Sequence, residues 1–107
     1  MKIGIFGAGS IGCYVGGMLA AAGEAPVLVG RKAMGARLAD GIELTRHDGS
    51  PLEAAPGSFT FATEAAALAG CDTVLVCVKS GATAEAGKAL AAVLSEKSAV
   101  VSLQNGV

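Results

Sequence analysis

The sequence has few of the side chains that stack on nucleic-acid bases: it holds no tryptophan, one tyrosine and three phenylalanines. Charged residues make up only 16% of the chain, mix both signs and leave a formal net charge of -1. A nucleic-acid surface needs clustered cations and aromatic platforms, and an anionic membrane attracts a polybasic stripe. The sequence shows neither pattern, so we expect no nucleic-acid partner.

The three cysteines follow no metal-binding or disulfide pattern. Cys13, Cys71 and Cys77 are odd in number, lie in apolar surroundings and form no C-x-x-C or Cys/His pair of zinc-site spacing. We therefore expect no metal site and a reducing, cytoplasmic location. Cys77 is interpreted as a small buried hydrophobe. Cys13 follows a glycine loop at a helix start, where the helix dipole could lower its pKa, but core packing is the expected role.

The N-terminal stretch IGIFGAGSIGCYVGGMLAAAG carries no charge from Ile3 to Gly23, which permits two interpretations. One is a signal peptide or membrane anchor, in which Gly12 and Gly16 form a helix-dimerising G-x-x-x-G. The other is a strand, a glycine loop and a helix. Because a membrane segment or cleaved leader would remove the first strand of the sheet that the rest of the chain predicts, we favour the second and expect no membrane partner.

An alternation of short apolar strands and helices predicts an α/β fold. The predicted strands are KIGIF, APVLVGR, DTVLVCVK and SAVVSLQNGV, with strand-like pieces around a His47-Asp48-Gly49 turn. The predicted helices are SIGCYVGGMLAAAG, KAMGARLADG, EAAALAGC and GATAEAGKALAAVLSE. This order implies a doubly wound, mostly parallel sheet in one domain over residues 1–107. In the first helix an apolar set at helical spacing lies beside the glycine stripe: Ile11, Val15, Met18 and Leu19.

A glycine motif lies between the first predicted strand and the first predicted helix. Gly7-Ala8-Gly9-Ser10-Ile11-Gly12 matches G-x-G-x-x-G in the context that the dinucleotide-binding fingerprint requires. Gly7 would let the chain turn out of the strand, Gly9 would let the backbone approach a pyrophosphate, and Gly12 would let the helix pack on the strand. Free N–H groups at the helix N-terminus would face the phosphate. We therefore predict a Rossmann-like cofactor site.

The residues after the second strand indicate which dinucleotide binds. An NAD site usually carries Asp or Glu there for the adenosine ribose, whereas a site for the 2′-phosphorylated cofactor carries a cation. Arg31 and Lys32 follow Gly30, and no acid occurs from Val27 to Lys32. Arg31 can pair with a phosphate through its planar fork, with Lys32 as a supporting charge. The alternative is a pair of solvated charges at a helix start; we predict NADPH or NADP as the cofactor.

Two polar residues end predicted strands at the carboxyl edge of the sheet, where ligands of open α/β folds bind. Lys79 closes DTVLVCVK, and Asn105 closes VVSLQN. Position alone leaves a ligand-binding role and a solvated or turn-forming role open for both. His47 is interpreted as a turn residue. Asp72 and Glu64 are interpreted as a strand entrance and a helix first turn rather than as an acid/base pair.

Four segments together resemble the N-terminal half of ketopantoate reductases (2-dehydropantoate 2-reductases), within the 6-phosphogluconate-dehydrogenase-like superfamily. They are GIFGAGSIGCYVGGMLAAAG, LVGR, DTVLVCVKS and VVSLQNGV, and the resemblance spans essentially the whole chain. It implies that Gly7 to Gly12 hold the pyrophosphate and that Arg31 holds the 2′-phosphate. It also implies that Lys79 lies along the cofactor and that Asn105 lies where nicotinamide and substrate meet.

The resemblance further implies a helical C-terminal domain that carries a catalytic lysine, a glutamate and most substrate contacts. We therefore expect no catalytic residue within residues 1–107 and interpret the chain as a fragment of a two-domain enzyme. The complete enzyme would pass hydride from NADPH to the keto carbon of ketopantoate, giving pantoate for pantothenate and coenzyme A synthesis. The fragment alone is expected to bind nucleotide weakly and to reduce nothing.

Two other functions stay open at this point. One is a reductase of the same superfamily that acts on another 2-keto acid or an opine-like substrate. The other is a non-catalytic nucleotide-sensing Rossmann module, although such modules commonly keep the acid that Arg31 replaces. An exposed sheet edge, and an apolar surface that would face the further domain, also predict self-association into a homo-oligomer.

Overall fold

Seven strands and three helices occur in the part of the chain that the computed structural model describes, which is residues 2–46, 48–78, 83–95 and 97–103, with the backbone alone at 10, 83 and 84. In chain order they are β1 (Ile3–Phe6), α1 (Ser10–Ala21), β2 (Val27–Val29), α2 (Lys32–Arg37), β3 (Ile42–Thr45), β4 (Pro51–Ala54), β5 (Thr60–Ala62), β6 (Thr73–Val76), α3 (Thr83–Ala91) and β7 (Ala99–Ser102). Short 3-10 turns lie at Pro56–Ser58 and Ala65–Leu68.

The main sheet has five strands in the order β5-β2-β1-β6-β7, and every neighbouring pair is parallel. From β1 the chain moves outward to β2 and β5, then returns to the other side of β1 for β6 and β7. The order therefore reverses between β1 and β6, and a ligand crevice is expected beyond the carboxyl ends of these two strands. The predicted α/β class and parallel sheet are confirmed.

The two faces of the sheet carry separate apolar clusters, because alternate residues of each strand point to opposite sides. Ile5 and Leu28 are fully buried on the face covered by α1 and the β3–β4 pair. On the opposite face Val74 is fully buried with Leu68 and Leu90, the latter from α3. The central strands are thus buried from both sides, as the continuous apolar runs of the sequence predicted.

Helix α1 packs through its smallest residues. A Cβ atom added at Gly16 would lie 2.9 Å from Leu28 Cδ2, and one added at Gly17 would lie 2.5 Å from Leu44 Cδ1. The glycine stripe therefore allows close helix–sheet contact, whereas Met18, on the apolar face expected from the sequence, is 39% exposed. No helix among the described residues is long and apolar enough to cross a membrane.

The middle of the chain forms a second, small sheet. The sequence predicted strand-like pieces there but not how they pair. Strands β3 and β4 pair antiparallel around the predicted turn, in which Asp48 Oδ1 accepts the Ser50 N–H at 2.9 Å. His47 itself lies outside the described residues. The third piece becomes β5, which pairs with β2 at the edge of the main sheet.

Two predicted helices are shorter than their patterns indicated. EAAALAGC forms only the 3-10 turn Ala65–Leu68, and the last helix ends at Ala91 instead of near Glu96. In both cases the buried residues still anchor the segment: Leu68 is fully buried, and Leu94 packs against the core beyond the end of α3.

Candidate functional site

The loop after β1 is fixed by the two strands on either side of it. Gly7 has φ +94°, which favours glycine, and both Gly7 N–H and Ala8 N–H donate to Val29 O, at 2.8 and 2.9 Å. A Cβ atom at Gly7 would lie 2.7 Å from Val78 Cγ1, just beyond β6. The loop is thus hydrogen-bonded to the end of β2 and packed against the end of β6. It lies at the crevice that the strand order creates.

The N-terminus of α1 presents backbone N–H groups beside this loop. Gly9 caps the helix without a side-chain hydrogen bond, and the first turn carries no acidic residue. The Cys13 N–H donates to Gly9 O at 2.8 Å, so the N–H groups of residues 10–12 precede the first intrahelical bond. Together with the helix dipole, they favour an anion at this position.

The two remaining motif glycines have different environments. A Cβ atom at Gly12 would lie 2.6 Å from Gly7 O, so the helix can start here only without a side chain. A Cβ atom at Gly9 would meet no heavy atom within 4 Å, so it would project into open space next to the helix N-terminus. That space suits a pyrophosphate, and the loop therefore fits a dinucleotide cofactor.

Arg31 lies next to the glycine loop because β2 ends against it. A Cβ atom at Gly30 would lie 3.0 Å from Ala8 Cβ, and Arg31 follows directly as the N-cap of α2, where its carbonyl accepts the Met34 N–H at 3.0 Å. The Arg31 side chain is exposed, and within the described ranges it forms no ion pair with a carboxylate. A cation is thus available one residue beyond the point where β2 touches the loop.

Lys79 and Asn105, the other two predicted cofactor residues, lie outside the described residues. The strands that lead to them are described. The Cys77 N–H beyond β6 donates to Phe6 O at 2.8 Å, and the Leu103 N–H beyond β7 donates to Val76 O at 2.7 Å. Their roles stay predictions from the sequence.

Comparison with known proteins agrees with this geometry. The model of the ketopantoate reductase PanE/ApbA family matches residues 3–107. The chain belongs to this family. The structure of the PanE/ApbA family ketopantoate reductase from Ralstonia eutropha JMP134 superposes with a TM-score of 0.85 at 37% identity, over 99% of this chain and 35% of that protein. The resemblance seen in the sequence is confirmed.

Two curated relatives of this chain are named for different enzyme activities. The 2-dehydropantoate 2-reductase of Halobacterium salinarum is 35% identical over 100% of this chain and 35% of its own length. The glycerol-3-phosphate dehydrogenase [NAD(P)+] of Rhizobium etli is also 35% identical, over 99% of this chain and 32% of its own. The chain thus spans about a third of each relative, and the enzymes of its family use a nicotinamide dinucleotide.

Cys13 and Cys71 are buried in the core, whereas Cys77, expected to be buried, is partly buried against it. Cys13 is 9% exposed, its thiol lies 3.6 Å from Ala8 O, and burial raises the pKa of that thiol although the Arg37 charge opposes the shift. Burial also raises the pKa values of Cys71 and Cys77. The packing role expected for Cys13 is confirmed. Across the described ranges, no three or more His, Cys, Asp or Glu side chains group as a metal site.

Asp72 lies at the opposite end of the sheet from the glycine loop and has a structural role. Its Oδ2 accepts the Lys2 N–H at 2.7 Å, and its carbonyl accepts the Ala99 N–H at 2.8 Å, so it ties the entrances of three strands together. Glu64 precedes the 3-10 turn without a side-chain cap bond. The interpretation of Asp72 as a strand entrance is confirmed.

A groove of about 420 Å³ opens beside Gly9, between α1, α2 and β3. Three α2-side residues line it at helical spacing, namely Met34, Arg37 and Leu38. Arg37 was not among the predicted site residues, because KAMGARLADG was interpreted only as a short helix. The i, i+3, i+4 spacing was the available signal, but without the position of α1 it did not show what this face meets.

Proposed function

We propose that this chain is the NADPH-binding domain of a two-domain reductase that transfers hydride from NADPH to the keto carbon of 2-dehydropantoate. The observation that carries the proposal is the position of Arg31. It follows Gly30, which touches the glycine loop, it has no carboxylate partner within the described ranges, and no acid occurs from Val27 to Lys32. That arrangement suits a 2′-phosphate and lacks the acceptor that an NAD ribose uses.

Each residue of the site has a binding role in this proposal. The N–H groups of residues 10–12 face the pyrophosphate, and Gly9 leaves room for it. Arg31 would hold the 2′-phosphate with two parallel hydrogen bonds, with Lys32 as a second charge. When bound, the nicotinamide supplies the hydride. The residues of this chain bind and orient; the lysine and glutamate that the family resemblance implies for catalysis would belong to a C-terminal domain.

The wider setting follows from the same proposal. Residues 1–107 form a single NADP-binding domain, the product is pantoate for pantothenate and coenzyme A synthesis, and the enzyme works in the cytoplasm. Lys79 along the cofactor and Asn105 between nicotinamide and substrate complete the site as the sequence predicted it. The chain spans about a third of the length of these relatives, so the activity of the whole enzyme is part of the proposal.

A second candidate is a dehydrogenase of glycerol 3-phosphate. It is favoured by the Rhizobium etli relative, which has the same 35% identity to this chain as the 2-dehydropantoate 2-reductase has. Both candidates use the same nucleotide site and differ in the residues that select the substrate. Family membership supports either enzyme over a nucleotide-sensing module.

A parallel calorimetric titration with NADPH and NADH tests the proposal. We expect NADPH to bind more tightly and Arg31→Ala to weaken NADPH binding about 10- to 100-fold, since a charged hydrogen bond contributes about 1.5–3 kcal/mol. NADH binding should change little. Arg46→Ala, which removes another exposed arginine in the β3–β4 turn, is the matched control. Equal affinities, or tighter NADH binding, in the wild-type chain would contradict the proposal.

A further inference from the structure

The ring of Phe61 lies against two glycines, one on either side of Arg31 in the sequence. Phe61 is in β5, the edge strand that pairs with β2, and it is partly buried on the face covered by α1. A Cβ atom at Gly30 would lie 3.3 Å from Phe61 Cε2, and one at Gly35 would lie 2.6 Å from Phe61 Cε1. The two edges of one ring thus touch the end of β2 and the side of α2.

Both glycines are connected to the backbone of Arg31. Gly30 precedes it directly, and the Gly30 N–H donates to the carbonyl oxygen of Ala62, the neighbour of Phe61 in β5, at 3.1 Å. The Gly35 N–H donates to Arg31 O at 3.2 Å, in the first turn of α2. The contacts of Phe61 with these two glycines therefore constrain where the main chain of Arg31 lies and how α2 leaves the sheet.

Helix α2 has few contacts that could fix its position. It has six residues, none of them fully buried, and only Met34 and Gly35 are half-buried. Met34 packs against the core cluster on the α1 face, and Leu38, which caps the C-terminus of the helix, is buried. A helix of this length is not stable without tertiary packing. Its N-terminal end, where Arg31 lies, thus depends on the ring of Phe61.

We propose that Phe61 is a positioning residue for Arg31 and thereby determines the preference for the 2′-phosphorylated dinucleotide. This inference rests on the proposed function. A guanidinium forms two parallel hydrogen bonds with a phosphate only when its planar fork is correctly oriented, so the backbone that carries it must be held in place. The Phe61 ring holds it through Gly30 and Gly35. NADH lacks the 2′-phosphate, so its binding does not depend on this support.

The alternative role for Phe61 is packing alone. Phe59 provides the comparison, because it is a second phenylalanine of the same segment and is also partly buried against the cluster on the α1 face. Among the described residues, the atoms nearest to the Cβ positions at Gly30 and Gly35 belong to Phe61 and Ala8. Loss of either phenylalanine ring should reduce stability, but only loss of the Phe61 ring should alter the ratio of NADPH to NADH affinity.

The test is a titration of Phe61→Leu, Phe61→Ala and the control Phe59→Leu with NADPH and NADH. We expect Phe61→Leu to weaken NADPH binding about 3- to 10-fold and to leave NADH binding within about twofold, since part of a charge-assisted contact is lost. Phe61→Ala should weaken NADPH binding further. Phe59→Leu should keep the wild-type ratio, and an equal change of the ratio in this control would overturn the inference.

The midpoint of thermal unfolding, measured for every variant, checks that each is folded. Phe61→Leu keeps most of the apolar volume of the side chain, so it decides the question if Phe61→Ala does not fold.

A combined variant separates positioning from an independent effect. If Phe61 acts through Arg31, Phe61→Leu should cause no further loss of NADPH affinity in an Arg31→Ala chain. Additive losses would overturn the inference. Equal losses of NADPH and NADH affinity in Phe61→Leu would also overturn it, since they place the ring on the adenosine or on the fold.

The same titrations keep this inference distinct from the proposed function. If Arg31→Ala abolishes the NADPH preference while Phe61→Leu binds both nucleotides as the wild type does, the Phe61 inference is wrong and the proposed function stands. If the wild-type chain shows no NADPH preference, both proposals fall together.

Discussion

At the scale of single residues, Gly9 and Gly12 show that glycines of one motif serve different purposes. Gly12 is required by the fold, because its Cβ position is 2.6 Å from the Gly7 carbonyl oxygen. Gly9 is not, because its Cβ position is open and its φ of -94° is available to any residue. The open space at Gly9 is therefore available to the proposed pyrophosphate.

Alanine substitution of the two glycines should therefore separate binding from stability. We expect Gly9→Ala to change the free energy of unfolding by less than about 0.5 kcal/mol, as surface substitutions do, and to weaken NADPH binding at least tenfold because a methyl group occupies the pyrophosphate space. Gly12→Ala should lose about 1–3 kcal/mol of stability through overpacking. Urea unfolding and NADPH titration measure both effects; a Gly9→Ala chain that binds as the wild type would contradict the placement of the pyrophosphate.

At the scale of elements, α1 is the connection between the sheet and the small β3–β4 pair. Gly16 faces β2 and Gly17 faces β3, so one helix is in close contact on two sides. A larger side chain on either side must move a neighbour. In contrast, a Cβ atom at Gly87 in α3 would meet no heavy atom within 4 Å.

This difference predicts opposite effects of the same substitution. Gly17→Ala should destabilise the chain by about 1–3 kcal/mol, because the new methyl group meets Leu44 and Ile42. Gly87→Ala, its matched control, should stabilise by up to about 1 kcal/mol, because alanine has the higher helix propensity and nothing obstructs it. Urea unfolding measures both. A Gly17→Ala variant as stable as Gly87→Ala would show that α1 does not pack tightly on β3.

The elements that the sequence predicted are those with a local signal. Strand β1, the glycine loop and the start of α1 follow from an apolar run and a motif, and Arg31 follows from its position after β2. The buried face of α1 could not be predicted from apolar spacing, because it consists of small residues whose burial depends on how closely the sheet approaches. Arg37 lines the groove between α1, α2 and β3, and that is a tertiary arrangement which no local pattern shows.

At the scale of the whole molecule, the sheet is unevenly covered. Strand β7 forms one edge, all four of its residues are exposed, and Val100 and Val101 are 52% and 43% accessible. A groove of about 470 Å³ between α3 and β7 is lined by Leu90 and Leu94 among others. A flat apolar edge strand offers free backbone donors and acceptors to a second chain. The homo-oligomer predicted from the sequence would form here.

We therefore expect this chain to self-associate as its concentration rises, through β7. Val101→Lys should reduce the association, because a charged side chain on an edge strand opposes pairing with another edge. Val101 projects to the face opposite α3, so the substitution leaves the buried residues of that cluster unchanged. Sedimentation velocity over a concentration series measures the effect. A wild-type chain that stays monomeric throughout would rule out this interface.

Binding of a 2′-phosphorylated dinucleotide by the α1 N-terminus and Arg31 together can be tested in a single titration. At 10.4 kDa the chain suits a nitrogen–proton NMR titration with NADP, which reports each amide and the Arg31 side chain in one experiment. We expect the largest shifts at residues 7–13 and 30–32, and we expect the Arg31 side-chain signal to move with them. Shifts that cluster instead in the groove between α3 and β7, with the glycine loop unaffected, would contradict this expectation.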